Sequence, residues 1–112
     1  MIRKTRSPSL PAAYLTFTFG RNEPLDEWDF ELPGLRGRVV NGWRSGMTLF
    51  VDGRPLDHSE RGVAVSDSQA ALRGETTDMN GQRRSVEVFV KAIFTVKIKV
   101  VVDGHPLSEG YL

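Results

Sequence analysis

The acid, imidazole and hydroxyl side chains that could do chemistry come together in one stretch, Asp57-His58-Ser59-Glu60. These residue types form the relay of nucleophilic hydrolases. Neighbouring side chains on a strand point to opposite faces, so Asp57, His58 and Ser59 cannot build that relay from adjacent positions. Ser59 also lacks the Gly-x-Ser-x-Gly sequence of a nucleophile elbow. We therefore expect no catalytic residue here and no enzyme activity.

The two histidines, His58 and His105, each follow an Asp-Gly pair. If the segments that carry them lie side by side, the two imidazoles approach each other. A metal site needs further ligands at fixed spacing, and none is apparent. The chain has no cysteine, which excludes thiolate ligands and disulfides. We expect surface histidines that are candidate binding residues, with no metal and no cofactor.

Aromatic and basic residues also occur together, as Trp43 with Arg36, Arg38 and Arg44. Such a set on a β surface is typical of a stacking platform for single-stranded nucleic acid. Tryptophan is equally a core anchor of small β domains. Nucleic-acid binding through these four residues is therefore kept as an alternative function.

The stretch from Val86 to Leu107 is the most β-prone part of the chain. Val96, Ile98 and Val100 recur at period two, whereas Lys97 and Lys99 take the alternate positions. This alternation predicts a strand with one dry and one wet face, typical of an antiparallel sheet. At Ala92 we expect a kink, a bulge or one long strand that bends between sheets.

Asn-Gly and Asp-Gly pairs, at residues 41, 52, 80 and 103, divide the chain into short segments. Such pairs favour tight hairpin turns, so a hairpin is predicted at Asn41-Gly42. The spacing predicts about eight short strands in an all-β, two-sheet antiparallel sandwich, with a small open β-barrel as the alternative.

A six-residue pattern occurs twice, as residues 51–56 and 102–107, each reading Val-Asp-Gly-x-Pro-Leu. It indicates either a duplication with two similar halves or shared turn chemistry. Both interpretations remain open at this stage.

The composition limits the classes of protein to which the chain can belong. A length of 112 residues with 39% hydrophobic residues is typical of one folded domain. Residues 1–11 are predicted to be a mobile basic lead-in, and residues 12–112 a single β domain.

A net charge of +1 argues against strong global attraction to nucleic acid or anionic lipid. Since no signal peptide or membrane span is recognised, we expect a soluble cytoplasmic protein.

Edge strands bear on self-association. Pro55 and Pro106 follow the two Asp-Gly turns and are expected to cap two sheet edges. The alternating strand predicted at residues 14–19 has neither charge nor proline. At an edge it would pair with a second copy or be covered by a partner protein, whereas in the middle of a sheet it would do neither.

One resemblance has implications for both fold and function. The segments Trp28-Asp29-Phe30-Glu31-Leu32 and Ser45-Gly46-Met47, the latter leading into Phe50-Val51-Asp52-Gly53, resemble the Fas apoptotic inhibitory molecule family. A later strand again ends in a similar turn, Val102-Asp103-Gly104. The resemblance covers roughly residues 27–107 and implies a β-sandwich that acts through protein contacts without catalysis. The chain departs from the family in its basic lead-in, in Pro55 and Pro106, and in ending early.

These observations predict a non-catalytic protein-interaction module whose partner is another protein or a second copy of itself. The alternatives are a nucleic-acid-binding small β-barrel and an accessory or ligand-binding domain of a larger assembly.

Overall fold

The computed structural model describes residues 2–5, 25–42, 45–60, 69–92 and 95–112. Every regular element in these ranges is a β-strand. The strands are β1 (Ile2–Thr5), β2 (Leu25–Leu32), β3 (Leu35–Gly42), β4 (Gly46–Val51), β5 (Arg54–Ser59), β6 (Leu72–Thr77), β7 (Arg83–Ala92), β8 (Val96–Val102) and β9 (His105–Pro106). They form a five-stranded sheet, β1-β2-β3-β4-β5, and a four-stranded sheet, β6-β7-β8-β9, with antiparallel neighbours throughout. The predicted all-β fold of two antiparallel sheets is confirmed.

The core lies between the two sheets and follows the period-two pattern. Val96, Ile98 and Val100 are buried, Lys97 is exposed, and Lys99 is half-buried. The predicted register of β8 is therefore confirmed. The buried cluster draws on both sheets and comprises Trp28, Phe30, Leu35, Val39, Met47, Leu49, Val51, Leu72, Val86, Val88, Val90, Val96, Ile98, Val100 and Val102.

A close approach across β2 and β3 requires glycine at position 37. Phe30 pairs with Gly37, and a Cβ at Gly37 would overlap the Phe30 ring. Gly37 thus makes room for a buried phenylalanine on the neighbouring strand.

The prediction of a kink, a bulge or one long bending strand at Ala92 is wrong. β7 ends at Ala92 and β8 begins at Val96, and these two residues pair in an antiparallel hairpin. The described inward-facing positions are even-numbered in both strands, from Val86 to Val90 and from Val96 to Val102. No glycine or proline lies between the strands in the sequence. Periodicity alone therefore could not reveal the reversal.

The hairpin predicted at Asn41-Gly42 exists, but its turn is displaced. Both residues belong to β3, where Asn41 pairs with Met47 and Gly42 with Gly46. Asn41 is buried and its side-chain amide lies 3.4 Å from Asp26 Oδ2, which keeps it in the strand. Among the described residues of this hairpin, Gly46 has a positive φ, of 93°.

The other predicted turns occur where expected. Gly53, Gly81 and Gly104 all have positive φ between 80° and 81°. Pro55 lies in β5 and Pro106 in β9, which are edge strands of their sheets among the strands that the structure describes, as predicted.

Part of the predicted mobile lead-in is strand. Residues 2–5 form β1, and Ile2 packs against the core. Lys4 Nζ lies 3.5 Å from Asp26 Oδ1 and 5.3 Å from the centre of the Trp28 ring, which also ties the strand to the sheet. Residues 6–11, and the strand predicted at residues 14–19, lie outside the described residues.

Candidate functional site

The arginines of the predicted stacking platform bind carboxylates of the neighbouring strand. Arg36 Nε lies 3.2 Å from Glu31 Oε1, and Arg38 Nε lies 2.6 Å from Asp29 Oδ1. Arg38 Nη1 is also 3.3 Å from Glu27, a buried residue with 2% of its surface exposed. These carboxylates compensate the charges of Arg36 and Arg38 within the sheet. Trp43 and Arg44 lie outside the described residues.

The other tryptophan is a core residue. Trp28 is fully buried, and its Nε1 donates a hydrogen bond to the carbonyl oxygen of Leu112 at 2.9 Å. It therefore offers no stacking surface to a ligand.

The side chains of Asp57, His58 and Ser59 do not form a relay with one another. The Asp57 carboxylate accepts hydrogen bonds from the backbone N–H groups of His58 and Arg73, both at 2.9 Å. The His58 ring instead meets the hydroxyl of Thr48, with Nδ1 and Oγ1 2.6 Å apart. Thr48 is only 1% exposed, so its hydroxyl is not accessible to a substrate. Asp57 links β5 to β6, and hence one sheet to the other.

The two histidines predicted to be binding residues lie on different sheets, in strands at the edge among those that the structure describes. His58 lies on β5 of the five-stranded sheet and His105 on β9 of the four-stranded sheet, and both are exposed. Among the described residues, no three acids or histidines are grouped as metal ligands.

The outer face of the four-stranded sheet carries a set of residues that the sequence analysis did not assemble. We call this set the lysine face: Phe89, Lys91, Lys97, Lys99 and Tyr111. Phe89 pairs with Lys99, and Lys91 pairs with Lys97, across β7 and β8. Since Val88, Val90, Ile98 and Val100 point into the core, the alternate positions of both strands face outward.

The ammonium groups of this face lie against aromatic rings. Lys99 Nζ is 5.6 Å from the centre of the Phe89 ring and 5.1 Å from that of Tyr111. Lys91 Nζ is 5.9 Å from the centre of the Tyr111 ring. These distances are within the range of cation–π attraction. Both rings are half-buried, so part of each remains open to solvent.

The three lysines are not neutralised by acids within the part of the chain that the structure describes. The ion pairs formed there engage Lys4, Arg36, Arg38, Arg73, Arg83 and Arg84. Glu87 is the acid next along β7 on the outer face, and it pairs with Arg73 at 3.5 Å. Lys91 and Lys97 also stand directly opposite each other, an arrangement of like charges that destabilises a sheet. This face therefore concentrates positive charge at a cost in stability.

The end of the described chain positions Tyr111. Leu112 pairs with Ile98 through two backbone hydrogen bonds of 2.8 and 2.9 Å, which extend the sheet beside β8. The bond from buried Trp28 to the Leu112 carbonyl holds this contact from the other sheet. Tyr111 is thereby fixed next to Lys99.

A second exposed feature is an open groove of about 680 Å³ where turns from both sheets meet. The backbone N–H of Met79 donates to the carbonyl of Gly34 at 2.9 Å, which joins the two turns. Met79 is 75% exposed and lines the groove with Pro33, Arg36 and Asp52. The groove combines several apolar side chains with opposite charges and has no concentrated charge of one sign.

Comparison of the chain with protein-family models, curated proteins and solved structures found no match. Within the described ranges, no helix has the length and apolar character needed to cross a membrane.

Proposed function

We propose that this chain is a non-catalytic binding module that recognises an anionic macromolecule through the lysine face. The observation that carries the proposal is the group of three lysines on one exposed sheet surface, around two aromatic rings, without acid partners among the described residues. Ammonium groups that the described residues do not pair with carboxylates can form ion pairs with an anionic partner.

Electrostatics supplies the first part of the recognition. The net charge of the chain is only +1, so attraction must come from the local arrangement of charge. Exposed ion pairs contribute about 0.2–1 kcal/mol each, so three lysines give at most about 3 kcal/mol. Contact with Phe89 and Tyr111 is needed for a stronger complex, and aromatic residues often dominate the energy of interfaces.

The absence of catalysis is proposed because the Thr48 hydroxyl and the Asp57 carboxylate are buried or already hydrogen-bonded. The hydroxyl of Thr48 is inaccessible, and the Asp57 carboxylate already accepts two backbone hydrogen bonds. Neither group is placed to act on a bound molecule.

Calorimetric titration with poly-glutamate and with a short oligothymidylate tests the proposal. A variant with Lys91→Gln, Lys97→Gln and Lys99→Gln should bind the preferred polyanion roughly 3- to 150-fold more weakly than the unmodified chain, as expected for the loss of three exposed ion pairs. The matched control is Arg36→Gln, Arg54→Gln and Arg83→Gln, which removes as many positive charges from other exposed positions.

The control variant should retain binding if the lysine face is the site. Equal weakening in both triple variants would show a response to net charge alone. That result, or the failure of the unmodified chain to bind either polyanion, would contradict the proposal.

A further inference from the structure

We infer that the anionic partner is a single-stranded nucleic acid, with phosphates at Lys91, Lys97 and Lys99 and bases against Phe89 and Tyr111. This inference rests on the proposed function and specifies its ligand class.

The composition of the face favours nucleic acid over an acidic protein segment. Lysine is depleted in protein–protein interfaces relative to the rest of the surface. Lysines beside accessible aromatic rings are the combination with which proteins hold single strands, because cations contact the backbone and rings stack on bases. A carboxylate-rich peptide would use the ammonium groups of this face but would have no matching use for its two rings.

The lysine–ring contacts of the free protein can be replaced by contacts with a nucleic acid. Lys91 and Lys99 contact the rings through ammonium groups on long, flexible side chains. In a complex, each ammonium can turn towards a phosphate while the ring surface that it leaves accepts a base. The free protein thus stores both components of the site next to each other.

The shape of the face favours a single strand over a duplex. Recognition of the base sequence of a duplex requires a helix or a two-stranded ribbon that enters a groove. Here the charged residues lie on a sheet surface, and Lys97 and Lys99 are two positions apart on β8. That spacing corresponds to about 6.5–7 Å along the strand, and neighbouring strands lie about 4.8 Å apart. A chain of unpaired nucleotides can lie across such a surface, with one base for each ring.

The salt dependence of binding should be shallow. Single strands release about 0.7 counterions for each phosphate neutralised, so three contacts predict a slope near −2 for log K against log salt concentration. A much steeper slope would mean that charges beyond the lysine face carry the binding.

Fluorescence anisotropy with a labelled short oligothymidylate tests the inference, with a duplex of matched length and poly-glutamate as competitors. Phe89→Leu and Tyr111→Leu keep apolar bulk and remove the ring, and each should weaken oligothymidylate binding by about 5- to 150-fold, the range for loss of one stacked base. Tyr111→Phe keeps the ring and serves as the matched control, so it should bind like the unmodified chain. Thermal unfolding of each variant establishes that it is folded.

The outcomes separate the two proposals. Stronger competition by poly-glutamate or by the duplex, or leucine variants that bind as well as the unmodified chain, would overturn the inference while leaving polyanion binding intact. If neither oligothymidylate nor poly-glutamate binds, both the inference and the proposed function fail.

Discussion

Asp52 and Asp103 adopt the same left-handed backbone conformation, with φ of 51° at each, in turns that belong to different sheets. The glycine that follows each has φ of 81°. The Asp52 N–H donates to the Arg36 carbonyl at 2.7 Å, and the Asp103 N–H donates to the Ser85 carbonyl at 2.9 Å. The Asp52 carboxylate in turn accepts a hydrogen bond from the Arg36 N–H at 3.1 Å, and the Asp103 carboxylate accepts one from the Ser85 N–H at 2.8 Å. The repeated Val-Asp-Gly-x-Pro-Leu pattern therefore forms the same turn twice.

The backbone of these turns predicts the effect of adding a methyl group. Left-handed φ costs an L-residue about 1–2 kcal/mol, so Gly53→Ala and Gly104→Ala should each lower the free energy of unfolding by that amount. A Cβ would meet no atom at either position, so the loss measures backbone strain alone. Urea unfolding gives the values.

Gly110→Ala is the matched control, because a Cβ there also meets no atom and no positive φ is found at that position. It should change the free energy of unfolding by less than about 0.5 kcal/mol. If all three substitutions had equal effects, left-handed strain would not be their cause.

Two linked carboxylates predict how stability responds to acid. The Gln82 N–H, together with Arg84, holds the pKa of Asp78 below its ordinary value of 3.8, against the opposing effect of burial. The Ser85 N–H, again with Arg84, lowers the pKa of Asp103 in the same sense. Arg84 reaches both acids, with Nη1 3.3 Å from Asp78 Oδ2 and Nε 2.6 Å from Asp103 Oδ2. Their stabilisation is fully present above pH 3.8 and is lost as the pH falls through the lower folded-state values.

Urea unfolding at neutral pH and at several values below the ordinary Asp pKa measures this dependence. Asp103→Asn keeps a residue that tolerates left-handed φ but cannot titrate, so its stability should fall less steeply in acid. A profile for Asp103→Asn as steep as that of the unmodified chain would show that this carboxylate is not linked to folding.

The register of β8 predicts the energies of substitution in the core. Ile98 is fully buried, so Ile98→Ala should lower the free energy of unfolding by about 2–5 kcal/mol. The adjacent control, Lys97→Ala, should change it by less than about 0.5 kcal/mol. If Lys97→Ala lowered the free energy of unfolding more than Ile98→Ala, the face of β8 assigned to the core would be the wrong one.

Periodicity and turn chemistry predicted this fold well. The alternation from Val96 to Val102 and the Asp-Gly pairs depend on neighbours in sequence, and both occur as expected. The hairpin after Ala92 was missed because its inward positions keep the same parity on both strands. No local signal distinguishes such a reversal from one continuous strand.

The candidate site was less predictable because it depends on contacts between distant residues. Lys97 and Lys99 were expected on the solvent-facing side of a strand. Phe89 and Lys91 also occupy odd-numbered positions, and this shared parity is the sequence signal that could have placed all four residues on one face. Tyr111 joins the site only because Leu112 pairs with Ile98 after the chain has passed β9. The charge of Arg36 is compensated because Arg36 pairs with Glu31 across β2 and β3. Composition alone does not reveal this pairing.

Self-association through residues 14–19 remains a prediction, because that stretch lies outside the described residues. If this uncharged stretch pairs across a twofold axis, light scattering should give a dimer mass for the unmodified chain. Thr16→Lys, which adds a charge to the strand's polar side, should shift the mass to that of a monomer. A chain that stays monomeric at high micromolar concentration would remove the idea, and a dimer unaffected by Thr16→Lys would place the interface elsewhere.

The most direct test of ligand binding at the lysine face is an amide chemical-shift titration of the folded chain with short oligothymidylate. We predict the largest changes at Phe89, Lys91, Lys97, Lys99 and Tyr111, with small changes at Arg36 and Arg38. Shifts centred on the five-stranded sheet or on the groove beside Met79, with the lysine face unchanged, would contradict the proposed site.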